Sequence, residues 1–196
     1  MTYELLTALA VFAFVTSITP GPNNLMLMAS GANFGFRRTI PHMLGVALGF
    51  VFMAALVGLG LAQAFERYPV AHDILMVLSV AYLLWLAWKI ANAAPAKAGE
   101  AAGRPMTFLQ AAAFQWVNPK AWTMALTAVT VYAPEGGARG VLAVAVVFGL
   151  VNLPSVGSWA VLGVQMRRVL SNPARLRAFN IVMALLLVAS LWPVLI

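Results

Sequence analysis

Lys120 stands almost at the centre of an apolar stretch running from Phe108 to Tyr132. A charge at that depth costs about 2.5–3.5 kcal/mol on insertion scales and is retained where it faces a cavity. Gln115 and Asn118 precede it by a few residues, and Asn23 and Asn24 lie in the middle of another apolar stretch. An ammonium surrounded by amides is suited to hold a carboxylate and to order an amino group or a polar tail. The spacing of Gln115, Asn118 and Trp122, three and then four residues, is that of one helical face. Asn152, with Pro154 and Ser155 in "GLVNLPSVGSW", marks a third polar break that either lines a path or pairs with neighbouring helices.

Two of these amide groups adjoin helix breakers. In "TSITPGPNNLM", Pro20 and Pro22 supply no N–H and push Thr19 and Gly21 away from helical geometry, so the hydrogen-bond ladder opens. A new half-helix then begins with Pro22 in its first turn. In "FQWVNPKAW", Asn118 is suited to cap a half-helix whose first residue is Pro119. Two helix amino termini at mid-depth present unpaired N–H groups and partial positive charge, a match for a carboxylate. Irregular backbone there is tolerated only against protein or a water-filled cavity. Single prolines often kink membrane helices without binding anything, and it is the pairing of breaks that points to a site. The candidate solute-binding set is therefore Pro20, Gly21, Pro22, Asn23, Asn24, Gln115, Asn118, Pro119, Lys120 and Asn152.

The elements that must position these residues are membrane helices. Of 196 residues, 63% are hydrophobic and 9% charged, against about 25% charged in soluble domains. Six stretches reach the roughly 20 apolar residues needed to cross a bilayer: Leu5 to Phe36, Ile40 to Ala64, Ile74 to Ala93, Phe108 to Tyr132, Gly140 to Val164 and Leu176 to Leu195. The start "MTYELL" has no Lys or Arg before the first apolar run, so that run reads as a retained span and not a signal peptide.

Arg37, Arg38, Lys89, Lys97, Arg104, Arg167, Arg168, Arg175 and Arg177 fall in alternate connections, and the opposite connections hold Arg67 and Arg139. The positive-inside rule then puts the basic loops in the cytoplasm and both termini outside. Trp85, Trp88 and Lys89 at the end of "AYLLWLAWKIA" fit the same interface, and Trp192 the outer one. The formal charge of +7 is thus an orienting charge and not a nucleic-acid surface.

The linker from Ala94 to Pro105 divides a single transmembrane domain into repeats 1–93 and 106–196. Three spans in each half invert the second half relative to the first. Inverted repeats with matching broken helices are the sequence pattern of a transporter whose site lies at the bilayer midplane. The expected fold is all-α: six transmembrane helices as two inverted three-helix repeats, the first and fourth broken.

The remaining candidates are weaker. His42 beside Pro41, and His72 with Asp73, lie near span ends and read as surface or capping groups. No carboxylate lies deep in a span, so proton coupling would fall to His42, Glu4, Asp73 or the solute itself. Gly45 and Gly49 form a small-xxx-small pattern for close packing, within the chain or in a dimer. Tyr82 and Ser79 read as packing residues. Cysteine is absent, and no metal-ligand cluster, nucleophile–base pair or phosphate loop is present, so neither cofactor nor enzyme chemistry is expected.

At "TPGPNN", "GFRR", "AYLLWLAWKIA" and "NPKAW", and over the whole chain, the sequence resembles the LysE/RhtB family of bacterial amino acid exporters. With "NIVMALLLV" it is most similar to the subgroup exporting cysteine and O-acetylserine. Pro20, Gly21 and Pro22 match the family's signature, and Asn118, Pro119 and Lys120 its second-half counterpart. The resemblance implies a six-span inner-membrane exporter of small amino acids, driven by the proton motive force, with a homodimer allowed. A passive channel for small polar solutes, or an exporter of basic or hydroxy amino acids, remains the alternative.

Overall fold

Proline and glycine placement decides where the helices stop. The computed structural model describes residues 1–61, 63, 67–93, 104–133, 137–166 and 169–192, and the regular elements among them are all helices, with no strand. Helix α1 covers Tyr3–Ile18 and is capped by the Thr2 hydroxyl, which accepts from the Leu5 N–H. It ends at the first proline, and α2, Pro22–Phe34, starts with the second. The two meet at a bend of 53°. Gly35, at φ +81°, turns the chain into α3, Phe36–Leu56, which continues through a π turn, Val57–Leu61. Helix α4 covers Pro69–Ala91.

The second half repeats the broken start. Helix α5, Phe108–Phe114, opens with a Thr107/Gln110 capping box. A 3₁₀ turn, Gln115–Val117, and the extended residue Asn118 separate it from α6, Pro119–Tyr132. Then come α7, Ala138–Met166, and α8, Pro173–Ala189, the latter capped by Asn172.

Among the described residues three helices are long and apolar enough by themselves to cross a bilayer: Phe36–Leu61, Asp73–Ala91 and Ala138–Met166. The bent α1–α2 pair makes a fourth if taken as one span. The expected fourth span is interrupted by the 3₁₀ turn, and the expected sixth corresponds to the 17 residues of α8. Residues 94–103 of the linker, Lys97, Arg167, Arg168 and the His72 side chain lie outside what is described.

Polar side chains are buried within an otherwise apolar interior, and large apolar side chains cover the outside. Ser17, Asn24, Thr39, His42, Gln115, Asn118, Asn152 and Asn180 are buried, whereas Phe14, Phe52, Val77, Leu142, Leu150 and Leu185 are exposed. Such a surface is stable only against hydrocarbon.

Helix α7 is the central pillar, packed against α1, α2 and α3, while α3 also packs on α5 and α4 on α8. Small residues set the closest approaches. A Cβ at Gly31 would collide with the Ala160 carbonyl, and one at Gly163 with the Met28 carbonyl, so α2 and α7 touch backbone to backbone. Gly45 and Gly49 do the same against Phe108 and Ala112 of α5, which assigns their small-xxx-small pattern to packing within the chain. Phe50 and Phe148 meet at 4.9 Å and fill the core beside the broken helices.

Candidate functional site

A helix interrupted in a membrane leaves carbonyls that must be paired internally. At the end of α1 each one finds a donor. The Asn24 side-chain Nδ2 donates to the Ser17 and Thr19 carbonyls, both at 2.8 Å. Trp159 Nε1 of α7 reaches the Ile18 carbonyl at 3.0 Å, and the Thr19 hydroxyl donates to the Thr16 carbonyl at 3.1 Å. Lys120 supplies the rest from the other half of the chain. Its Nζ donates to the Thr19 carbonyl at 2.8 Å, to Thr19 Oγ1 at 2.9 Å and to the Pro20 carbonyl at 3.2 Å. A cation at a helix carboxyl terminus also complements the dipole of α1.

Gly21 is small for a direct reason. A Cβ there would lie 2.7 Å from Lys120 Cδ, so a side chain would push the lysine off its acceptors. Asn118, at φ −100° and ψ 107°, caps α6 through its Oδ1, which accepts the Lys120 N–H at 3.2 Å. The two breaks are joined a second time by a reciprocal amide pair: Asn23 Nδ2 donates to Gln115 Oε1 at 2.8 Å and Gln115 Nε2 to Asn23 Oδ1 at 3.2 Å. The Lys120 bonds and the Asn23–Gln115 pair join residues 101 and 92 positions apart, and they turn two local breaks into one junction.

Helix α2 has no side-chain cap, so its first turn presents the positive end of its dipole at the junction. A cavity beside it is lined by Ser17, Gly21, Asn23, Asn118, Lys120 and Asn152, among others. Ser17 is 4% exposed, and its hydroxyl has no hydrogen-bond partner among the described residues. The cavity measures about 20 Å³, which is room for roughly one water. The arrangement can hold a carboxylate and an ammonium, but only after the breaks separate.

The junction thus gathers Pro20, Gly21, Pro22, Asn23, Asn24, Gln115, Asn118, Pro119, Lys120 and Asn152, and in four ways, three here and one at His42, the structure differs from the sequence reading. Asn118 is non-helical, so Gln115, Asn118 and Trp122 do not form a continuous helical face; Trp122 Nε1 instead donates to the Trp116 carbonyl at 2.8 Å. Asn24 is occupied by the α1 carbonyls and serves the backbone. The expected third break is absent: α7 runs through Pro154, which is exposed, and the Ser155 hydroxyl bonds the Val151 carbonyl of its own helix. His42 is neither a surface nor a capping group but is 1% exposed inside the protein, with no partner for either ring nitrogen among the described residues.

Ser79 bonds its own helix, and Tyr82 stacks on Trp85 and Phe114, both as packing residues do. Sequence reasoning overlooked Ser17, Thr19 and Trp159. The run "TSIT" just before the prolines was the available signal for the first two, since hydroxyls beside a break serve freed backbone groups. Nothing marked Trp159. Among the described residues no group of three or more His, Asp or Glu is placed to hold a metal ion.

Comparison with known proteins gives the family. The model of the LysE type translocator family matches residues 14–190. The chain belongs to the LysE family. The cysteine/O-acetylserine efflux proteins of Escherichia coli strain K12 and of Shigella sonnei strain Ss046 are each 34% identical to it over 191 residues, covering 96% of this chain and 96% of the relative. No solved structure matches. As a LysE family member the protein is a multi-pass membrane translocator for amino acid efflux and not an enzyme.

Proposed function

We propose that this translocator exports small neutral amino acids or their derivatives, of the cysteine and O-acetylserine kind, from the cytoplasm across the bacterial inner membrane, driven by the proton motive force. The solute binds where the two broken helices meet. The observation that carries this reading is the Lys120 ammonium on the Thr19 and Pro20 oxygens of the opposite half. A solute ammonium offers the same three donors and the same charge. It exchanges for Lys120 at the α1 carbonyls, and the released lysine, with Ser17 and the first turn of α2, takes the solute carboxylate. The efflux relatives named above support the solute class.

Taken as spans, α1–α2, α3, α4, α5–α6, α7 and α8 make two inverted halves. The pairing of α1 with α7 and of α5 with α3, each the first segment of one half on the second span of the other, supports this repeat. The excess of basic residues in alternate connections supports cytoplasmic basic loops and external termini. The halves rock about the junction to expose the solute on one side and then the other.

The test is uptake of labelled O-acetylserine, cysteine, threonine, homoserine and lysine into inside-out vesicles, with and without a protonophore. Protonophore-sensitive accumulation of a neutral solute is expected. Equilibration without accumulation would make the protein a channel, and accumulation of lysine alone would overturn the solute class.

A further inference from the structure

A second cavity lies away from the junction, at the opposite end of α2. It measures about 110 Å³, room for several waters. Ser30, Asn33 and His42 line it, together with Lys89 at the end of α4 and Arg104 just before α5. Neither described acid, Glu4 or Asp73, is in its wall.

The state of these groups suggests what the cavity takes. Ser30 pairs with Thr39 at 2.9 Å, and Asn33 donates to the Ala29 carbonyl at 2.8 Å and to Asn180 Oδ1 at 3.2 Å, so both are engaged. His42 is not: both ring nitrogens are buried without a partner among the described residues. An imidazole in its neutral form has one N–H donor and one acceptor to offer. Leaving each unsatisfied costs about 1–3 kcal/mol, a penalty a purely packed residue would not need to bear. Lys89 and Arg104 are exposed, so the cavity has cations at its open end and an unpaired ring at its closed end. Asn33 and Asn24, nine residues apart on α2, place the two cavities about 13 Å apart along one helix.

We propose that this cavity is a second solute site. A small amino acid zwitterion sits there with its carboxylate between Lys89 and Arg104 and its ammonium donating to the His42 ring, on the side of the basic loops, before it moves along α2 to the junction. The site rests on the reading of the protein as an amino acid exporter.

The chain has two histidines, so ring-¹⁵N spectra of the full-length protein in nanodiscs, with His72→Gln for assignment, report on His42 directly. The probes are the same five amino acids and their carboxamides. Expected is a saturable shift of the His42 ring with at least one amino acid and none with its carboxamide. Lys89→Gln and Arg104→Gln should each raise the half-saturation concentration about tenfold, as loss of a hydrogen bond to a charged group does.

An amino acid that vesicles accumulate but that leaves His42 unmoved would overturn the site while leaving the exporter reading intact, as would an equal response to the carboxamide. If no amino acid is accumulated, a saturable, carboxylate-dependent shift still establishes the site and only the transport reading falls. Absence of any shift with all five overturns the site.

Discussion

The ammonium of Lys120 is held by a residue 101 positions away in sequence, so its position in the apolar stretch was legible and its partner was not. The depth of a charge can be read from the residues that flank it. Which carbonyls it serves depends on how the halves pack. Lys120→Ala removes three hydrogen bonds from a charged donor, each worth about 1.5–3 kcal/mol. Export should fall at least about tenfold with insertion unchanged, checked by initial uptake rates normalised to inserted protein. Wild-type rates would exclude Lys120 from the cycle. Ser17→Ala separates binding from packing. Since the Ser17 hydroxyl has no partner, its removal should raise the thermal midpoint slightly. If the hydroxyl serves the solute, the same variant should also raise the half-saturation concentration for export, and an unchanged value would leave Ser17 without a role.

At the level of helices, the two breaks were legible because their signals are local: Pro22 at the start of α2, and the Asn118 cap with Pro119 following it. The false third break at Pro154 has an equally plain cause. A proline at an exposed position of a helix that small residues press against its neighbours can be accommodated, with Ser155 bonded back to its own helix. His42 was misread because its distance from the span end was counted and the packing of α2 over the second turn of α3 was not. Glycine packing between α2 and α7 is open to a simple test. Gly163→Val places a branched side chain against the Met28 carbonyl, and overpacking of this kind costs about 1–3 kcal/mol. A lower thermal midpoint in detergent is expected, and an unchanged one would mean that the helices tolerate separation.

For the whole molecule, composition alone separates membrane from soluble, and the buried amides beneath an apolar exterior agree with it. The number of spans is harder to read, because α5, the 3₁₀ turn, α6 and the 17-residue α8 are shorter than the apolar stretches that contain them. Orientation is testable in a chain without cysteine. In intact cells an impermeant maleimide should label Thr2→Cys and should reach Asn92→Cys only after permeabilisation; the reverse pattern would invert the topology.

The central claim is that the solute sits where the two breaks meet, and Ser17→Cys tests it with a change of one atom at the cavity wall. In vesicles where this variant still transports, the rate of its modification by a small thiol reagent would be measured with increasing O-acetylserine. Protection is expected, with half-protection at the concentration that half-saturates transport. Modification that proceeds at the same rate in saturating, transported solute would contradict a site at this junction.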